Sequence, residues 1–326
     1  MPQFTVALTG ATGFVGSYIV EELLARGHRV RALARTAEEA TELSRDYDEN
    51  LVMVVGELSD PATAAELVSG CDACIHLVGI LREADGQTFQ KVHVGLTEAI
   101  LKACRDAGVK RYLHMSALGV CSEGVAEYQR TKWEAEKLVK RSGLDWTIFR
   151  PSMIHGVDGE AINMMHRWSM GQENPWFFMP YFTRWEEDKR VPLGSMNPID
   201  PRIAPVAAED VARAYASALE TPESVGEIYN LAGSDVLTWP EMLAYVRDHA
   251  HGDPGLQPFG VPGEISSVIG LVAKKLGVGA LLPHDDGMPR MASQDSVASL
   301  DKVKRHLGVE PRGFRETFLE YAGQLD

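Results

Sequence analysis

Two sets of residues in this chain have the types and spacing for chemistry. Tyr128 and Lys132 stand four positions apart, which on a helix places both on one face. A phenol that titrates near ~10 is a poor base at neutral pH. A neighbouring ammonium favours the phenolate, so the pair could move a proton to or from a substrate oxygen. The second set is Gly10, Gly13 and Gly16, spaced G-x-x-G-x-x-G within F-T-V-A-L-T-G-A-T-G-F-V-G. Phe4, Val6 and Leu8 precede it in an apolar run that fits a buried strand, and Val15, Ile19, Val20, Leu23 and Leu24 follow on one helix face. A strand, a glycine turn and a helix bring free backbone N–H groups and a positive dipole end to one point, a seat for a pyrophosphate.

The next strand, expected over 28–34, ends in Arg35, and no acid follows until Glu38. A site for NAD(H) usually carries Asp or Glu there for the ribose hydroxyls. A guanidinium instead suits a 2′-phosphate. The reading is therefore NADP(H) in preference to NAD(H).

These residues need a scaffold, and apolar strands alternating with helices supply one. Strands are expected at 51–55, 73–78, 112–115 and 146–149, with helices at 37–46, 62–68, 89–107 and 128–141 between them. The fold class is α/β, a Rossmann-type doubly wound parallel sheet with a smaller, discontinuous and mostly helical C-terminal lobe. The nucleotide domain is expected to span 1–151 and 203–232, and the second lobe 152–202 and 233–326. In such sheets ligands sit at the carboxyl ends of the strands, where Gly10, Arg35, Gly79 and Ser116 gather. Residues 171–201, rich in aromatics and prolines, show little periodicity.

The totals narrow the function. A chain of 326 residues can bury a large core. A net charge of −14 argues against nucleic acid as a partner. Four cysteines make no disulfide framework at this size. Cys71 and Cys74 form a C-x-x-C that runs into an apolar strand with no second pair to complete a metal site, so buried, reduced thiols and no metal are expected. With no leader and no apolar run near ~20 residues, the expectation is a cytoplasmic protein without a transmembrane segment; peripheral membrane or complex association, and an oligomer, stay open.

T-G-A-T-G-F-V-G at 9–16, G-E-L-S-D-P at 56–61, H-L-V-G at 76–79, Y-Q-R-T-K at 128–132, F-R-P-S at 149–152 and P-V-A-A-E-D-V-A at 205–212 resemble the short-chain dehydrogenase/reductase superfamily. Size and the late second lobe are similar to its extended or atypical branch, which is epimerase/dehydratase-like. V-K-R-Y-L-H-M-S-A-L-G and G-L-D-W-T-I-F-R-P-S are similar to a bacterial group related to the nucleotide-binding accessory subunit of respiratory complex I. The resemblance implies that Gly10, Thr12, Gly13, Phe14 and Gly16 cradle the pyrophosphate and that Arg35 meets the 2′-phosphate. Glu57 and Leu58 would flank the adenine, with Glu57 where Asp is usual. Val78 and Gly79 would line the ribose, Lys132 would hold it, Ser116 would be a structural serine, and Pro151 and Ser152 would border the nicotinamide. Tyr128 and Lys132 match the catalytic Tyr-x-x-x-Lys.

Two positions depart from the pattern. Ala117 stands where a substrate-polarising hydroxyl is usual, and His93 stands where Asn is usual, either as a bonded packing residue or as a proton relay. Two functions follow: an NADP(H)-dependent oxidoreductase or epimerase-like enzyme acting on a small hydroxyl or carbonyl compound, or a cofactor-binding protein without turnover, structural or redox-sensing. The aromatic run Trp176, Phe177, Phe178, Tyr181, Phe182 and Trp185 could line a substrate pocket, pack the lobe, or face a partner or membrane.

Overall fold

Short apolar runs separated by amphipathic helices have one stable arrangement, a parallel sheet covered on both faces. The computed structural model, which describes residues 3–45, 49–188, 195–275 and 287–325, has that arrangement. Strands β1 (Thr5–Thr9), β2 (Arg29–Ala34), β3 (Leu51–Val55), β4 (Ala73–His76), β5 (Arg111–Met115) and β6 (Asp145–Pro151) alternate with helices α1 (Phe14–Ala25), α2 (Ala37–Ser44), α3 (Pro61–Val68), α4 (Leu96–Ala107) and α5 (Glu127–Lys140). After β6 come β7 (Ile154–His155), α6 (Glu160–Ser169), β8 (Met179–Asp188), β9 (Ser195–Ile199), β10 (Arg202–Ile203), β11 (Val206–Ala207) and α7 (Ala208–Glu220). Strand β12 (Glu227–Leu231) then returns to the main sheet. That sheet has seven parallel strands in the order β3-β2-β1-β4-β5-β6-β12. The order reverses between β1 and β4, which leaves a crevice at their carboxyl ends.

The remaining elements are β13 (Leu237–Thr238), α8 (Trp239–His249), β14 (Pro258–Pro262), α9 (Gly263–Lys275), α10 (Met288–Ala292), α11 (Asp301–Leu307) and α12 (Phe314–Leu319). The helical character expected of this region is present, joined by a small sheet of order β14-β8-β9. Two of its strands lie in the stretch read as unpatterned. Pro180, Pro198, Pro258 and Pro262 fall inside these strands and hide the strand signal; prolines at sheet edges cost no ladder bond, and β9 and β14 are edges.

Three cores form. One lies under α1 and α7, a second under α3, α4 and α5, and a third in the lobe between α6, α8 and α12. Val303 and Leu307 of α11 belong to the first core and pack beside α7 and β12, although the sequence reading places 233–326 in the second lobe. The helix expected over 89–107 opens with a widened turn, Gln90–Gly95, before α4. Such i→i+5 turns redirect side chains and recur at functional sites.

Candidate functional site

Gly10 and Gly16 occupy places no other residue fits, whereas a Cβ on Gly13 would meet only the Gly10 carbonyl oxygen, at 3.4 Å. Gly10 has φ +75°, and a Cβ there would lie 3.3 Å from Leu77 Cβ and 3.4 Å from Val78 N, so the loop rests on the end of β4. A Cβ on Gly16 would lie 2.0 Å from the Gly10 carbonyl oxygen. Gly13 is exposed and caps α1 without a side-chain bond, and the first turn of that helix carries no acid. Its leading amides are thus free to meet an anion. This cradle fits a pyrophosphate. The Phe14 ring packs against the turn at 156–159, where a Cβ on Gly156 would lie 2.9 Å away, so its backbone is what the cradle uses.

Arg35 lies at the carboxyl end of β2, with its side chain 71% exposed and its Nη2 donating to Glu39 Oε1 at 2.8 Å. Glu39 Oε2 accepts from Arg35 N at 2.9 Å and from Thr12 Oγ1 at 3.4 Å. The Arg35 backbone bond, then the guanidinium, hold this carboxyl below the usual carboxylate range. Sequence reasoning missed Glu39. Its signal was the T-x-x-E pattern at 36–39: Thr36 Oγ1 accepts from Glu39 N as a helix cap, and the glutamate turns to Arg35. Glu57 is exposed, whereas Leu58 belongs to the second core and Val78 packs partly against it.

Lys132 is buried and donates from Nζ to the Met115 carbonyl oxygen at 3.0 Å. A Cβ on Gly79 would lie 2.8 Å from that Nζ, so Gly79 is what makes room for it. Burial lowers the lysine to about 8, opposed by Glu136. Tyr128 is partly buried, edge-on to His93 at 5.2 Å and to Phe89 at 6.0 Å. Burial pushes its phenol up to about 12, the reverse of the lowering expected from a neighbouring ammonium. The reason is positional, because Nζ turns to Met115.

His93 is held at both ring nitrogens. Nδ1 lies 2.9 Å from Thr131 Oγ1, whose hydroxyl is also 2.9 Å from the Glu127 carbonyl oxygen, and Nε2 lies 3.1 Å from the Ile80 carbonyl oxygen and 3.2 Å from Ile80 N. Burial lowers its pKa to about 2, keeping it neutral. The packing reading of His93 fits this geometry, and Thr131 is the partner that sequence did not reveal. Ser116 donates to Glu136 Oε1 at 2.7 Å, and Glu136, fully buried, also accepts two 2.7 Å bonds from Arg150. Buried Ser152 bonds Ser296 and follows buried Pro151. The glycines, Gly79, Lys132 and Tyr128 therefore gather around the crevice, while the hydroxyls of Ser116 and Ser152 are engaged within the protein. Trp176 and Phe177 are 60% and 72% exposed and Tyr181 bonds Asp200, so the aromatic run is not a closed pocket wall.

Residues 10–171 match the NAD(P)H-binding family. The chain is 27% identical over 241 residues to NADH dehydrogenase (ubiquinone) 1 alpha subcomplex subunit 9, mitochondrial, of Dictyostelium discoideum, covering 73% of this chain and 62% of that protein. These matches support the resemblance to the extended, epimerase/dehydratase-like branch of the short-chain dehydrogenase/reductase superfamily. Two further similar proteins are reductases by name. One is 4-hydroxy-2-methyl-3-oxo-4-farnesyl-3,4-dihydroquinoline-1-oxide ketoreductase of Stigmatella aurantiaca, 31% identical over 47% of this chain and 51% of that one. The other is ceramide reductase of Caulobacter vibrioides, 30% identical over 49% of each. The chain thus spans about half to two thirds of the length of these relatives. Among solved structures, that of gox2253 superposes with a TM-score of 0.72 at 25% identity, over 100% of both chains. The likeness in fold therefore runs the length of the chain. Among the described residues, no helix is long and apolar enough to cross a membrane.

Proposed function

We propose that this protein is an NADPH-dependent reductase of an apolar carbonyl compound. The observation that carries the reading is the pairing of a built anion cradle at Gly10–Gly16 with a proton-loaded phenol, Tyr128, across the same crevice. Burial raises the phenol to about 12, so at neutral pH it stays protonated and can donate to a developing alkoxide, which is more basic still, but cannot serve as the base of an oxidation. Reduced dinucleotide, when bound, supplies a hydride. Tyr128 gives its proton to the carbonyl oxygen as that oxygen gains negative charge, and water reprotonates the phenolate. Lys132, whose Nζ stands at Gly79, is the group for the nicotinamide ribose. Arg35 is the group for a 2′-phosphate once it leaves Glu39. The relatives named for ceramide and for a farnesylated quinoline oxide support a lipophilic substrate.

A second reading is favoured by Ala117 and by the engagement of Ser116 with Glu136, which together leave the usual polarising hydroxyl without a counterpart. It is a dinucleotide-binding subunit without turnover, and the relative named as an NADH dehydrogenase subunit supports it. One assay separates them. NADPH oxidation is followed with long-chain ketones in mixed micelles and with short water-soluble ketones. Turnover confined to the long-chain set supports the reductase; silence across both sets, with NADPH still bound, supports the subunit.

A further inference from the structure

Helix α9 is built inside out. Its small residues Gly263, Ser266, Ser267 and Gly270 are buried, whereas Ile265, Val268, Ile269, Leu271 and Val272 are each 42–57% exposed. The small residues let it seat closely, for a Cβ on Gly263 would lie 2.8 Å from the Pro289 carbonyl oxygen on α10. A helix that served only the core would carry these two sets the other way round. At 100° per residue the outward aliphatics span an arc of about 160°, far wider than the narrow seam of a two-helix coil.

Charge separates this region from the rest of the molecule. The chain carries −14, yet from Ile265 to Lys275 the sequence of α9 contains no acid and ends in Lys274-Lys275. The strand that leads into α9 adds aromatics of the same kind. Phe259 of β14 is 57% exposed and lies 5.0 Å from Phe178, which in turn lies 5.0 Å from Phe177. A broad aliphatic arc, lysines without acids and exposed aromatic rings are what the headgroup boundary of a bilayer accepts. Branched aliphatics left in water carry an unfavourable term of ~25 cal/mol per Å² that a lipid surface removes.

We propose that the outward face of α9 docks on a lipid bilayer, its aliphatics entering the headgroup boundary and its basic end favouring anionic lipid. The docking does not depend on the carbonyl chemistry, and the flotation itself uses neither cofactor nor substrate. The full chain is floated with vesicles of phosphatidylcholine, with and without phosphatidylglycerol. The wild type should float with both and more with the anionic set. Ile269→Glu and Val272→Glu point outward and should fold; each should lower the bound fraction by about tenfold, whereas Glu264→Gln should not lower it. Unchanged NADPH affinity, or an unchanged melting temperature if no dinucleotide binds, shows that the variants are intact. Three results would overturn the proposal: wild type that stays in the soluble fraction with both vesicles, glutamate variants that float like wild type, or a wild-type dimer that these variants turn into monomer.

Discussion

Arg35 is already engaged by a carboxylate, so a 2′-phosphate must compete with Glu39 for the guanidinium. A charge-assisted contact contributes ~1.5–3 kcal/mol, so NADPH should bind about tenfold or more tightly than NADH. Arg35→Ala should shrink that gap, and Glu39→Gln, which frees the guanidinium, should widen it. Equal affinities for the two dinucleotides in wild-type titrations would remove the assignment. Tyr128→Phe should leave NADPH affinity almost intact and lower turnover by ~10²–10⁴. Lys132 adds a stability test. Its pKa is about 8 in the fold against 10.5 free, so the folded state binds fewer protons between those values and stability rises with pH across that window. Below it the buried charge is a standing cost. Lys132→Met should therefore raise stability by ~1–3 kcal/mol at neutral pH while weakening dinucleotide binding, with the Met115 carbonyl losing its donor. A variant less stable than wild type in denaturant melts would show that this lysine is held for packing alone.

Elements are positioned by groups that the sequence does not advertise. Glu136 binds α5 to β5 and β6 by accepting from Ser116 and Arg150, and from Lys140 at 3.2 Å. Burial alone would raise its pKa, but the Arg150 and Ser116 bonds bring it below the usual carboxylate range. A depressed carboxyl contributes stability above its unfolded pKa and loses it as pH falls through the folded one. Glu136→Gln should cost ~3 kcal/mol at pH 7, and the deficit against wild type should narrow in acid. A deficit constant from pH 7 to pH 3 would count against the ion pair. The strands of the main sheet were legible within a residue or two, because apolar runs bounded by turns are local signals. Glu136, Thr131 and Glu39 were not, since their roles depend on partners brought by other elements or by a local turn. Strands β8, β9 and β14 were hidden by their own prolines. The C-x-x-C is absorbed into the second core, where burial raises Cys71 to about 11 and the neighbouring Cys104 helps push Cys74 well above its ordinary value. Cys121, which is exposed, should label quickly in the native protein, and Cys71, Cys74 and Cys104 only on unfolding, as read by mass spectrometry.

At the scale of the molecule, one stretch near the C-terminus ties the cores together. Val303 and Leu307 lie in the core under α7, while Phe314 and Phe318 lie in the core of the lobe. Between them Arg312 fastens the chain to α7, its N donating to Asp210 Oδ2 at 2.6 Å and its Nε to Oδ1 at 3.1 Å. Asp210 is fully buried and also accepts from Arg213. Removing one partner of such a cluster costs ~3–5 kcal/mol, because the remaining charge and amide keep their desolvation without the bond. With the fastening present, the lobe cannot come away without pulling at the sheet, and heat should unfold the chain in a single transition. Asp210→Ala should release 310–325 while the main sheet keeps its own core. The variant should then melt in two steps, the lower one accompanied by proteolytic cleavage between α11 and α12. A wild type that already melts in two steps, or a variant that melts in one step merely shifted downward, would mean that the two cores are coupled through something other than Asp210.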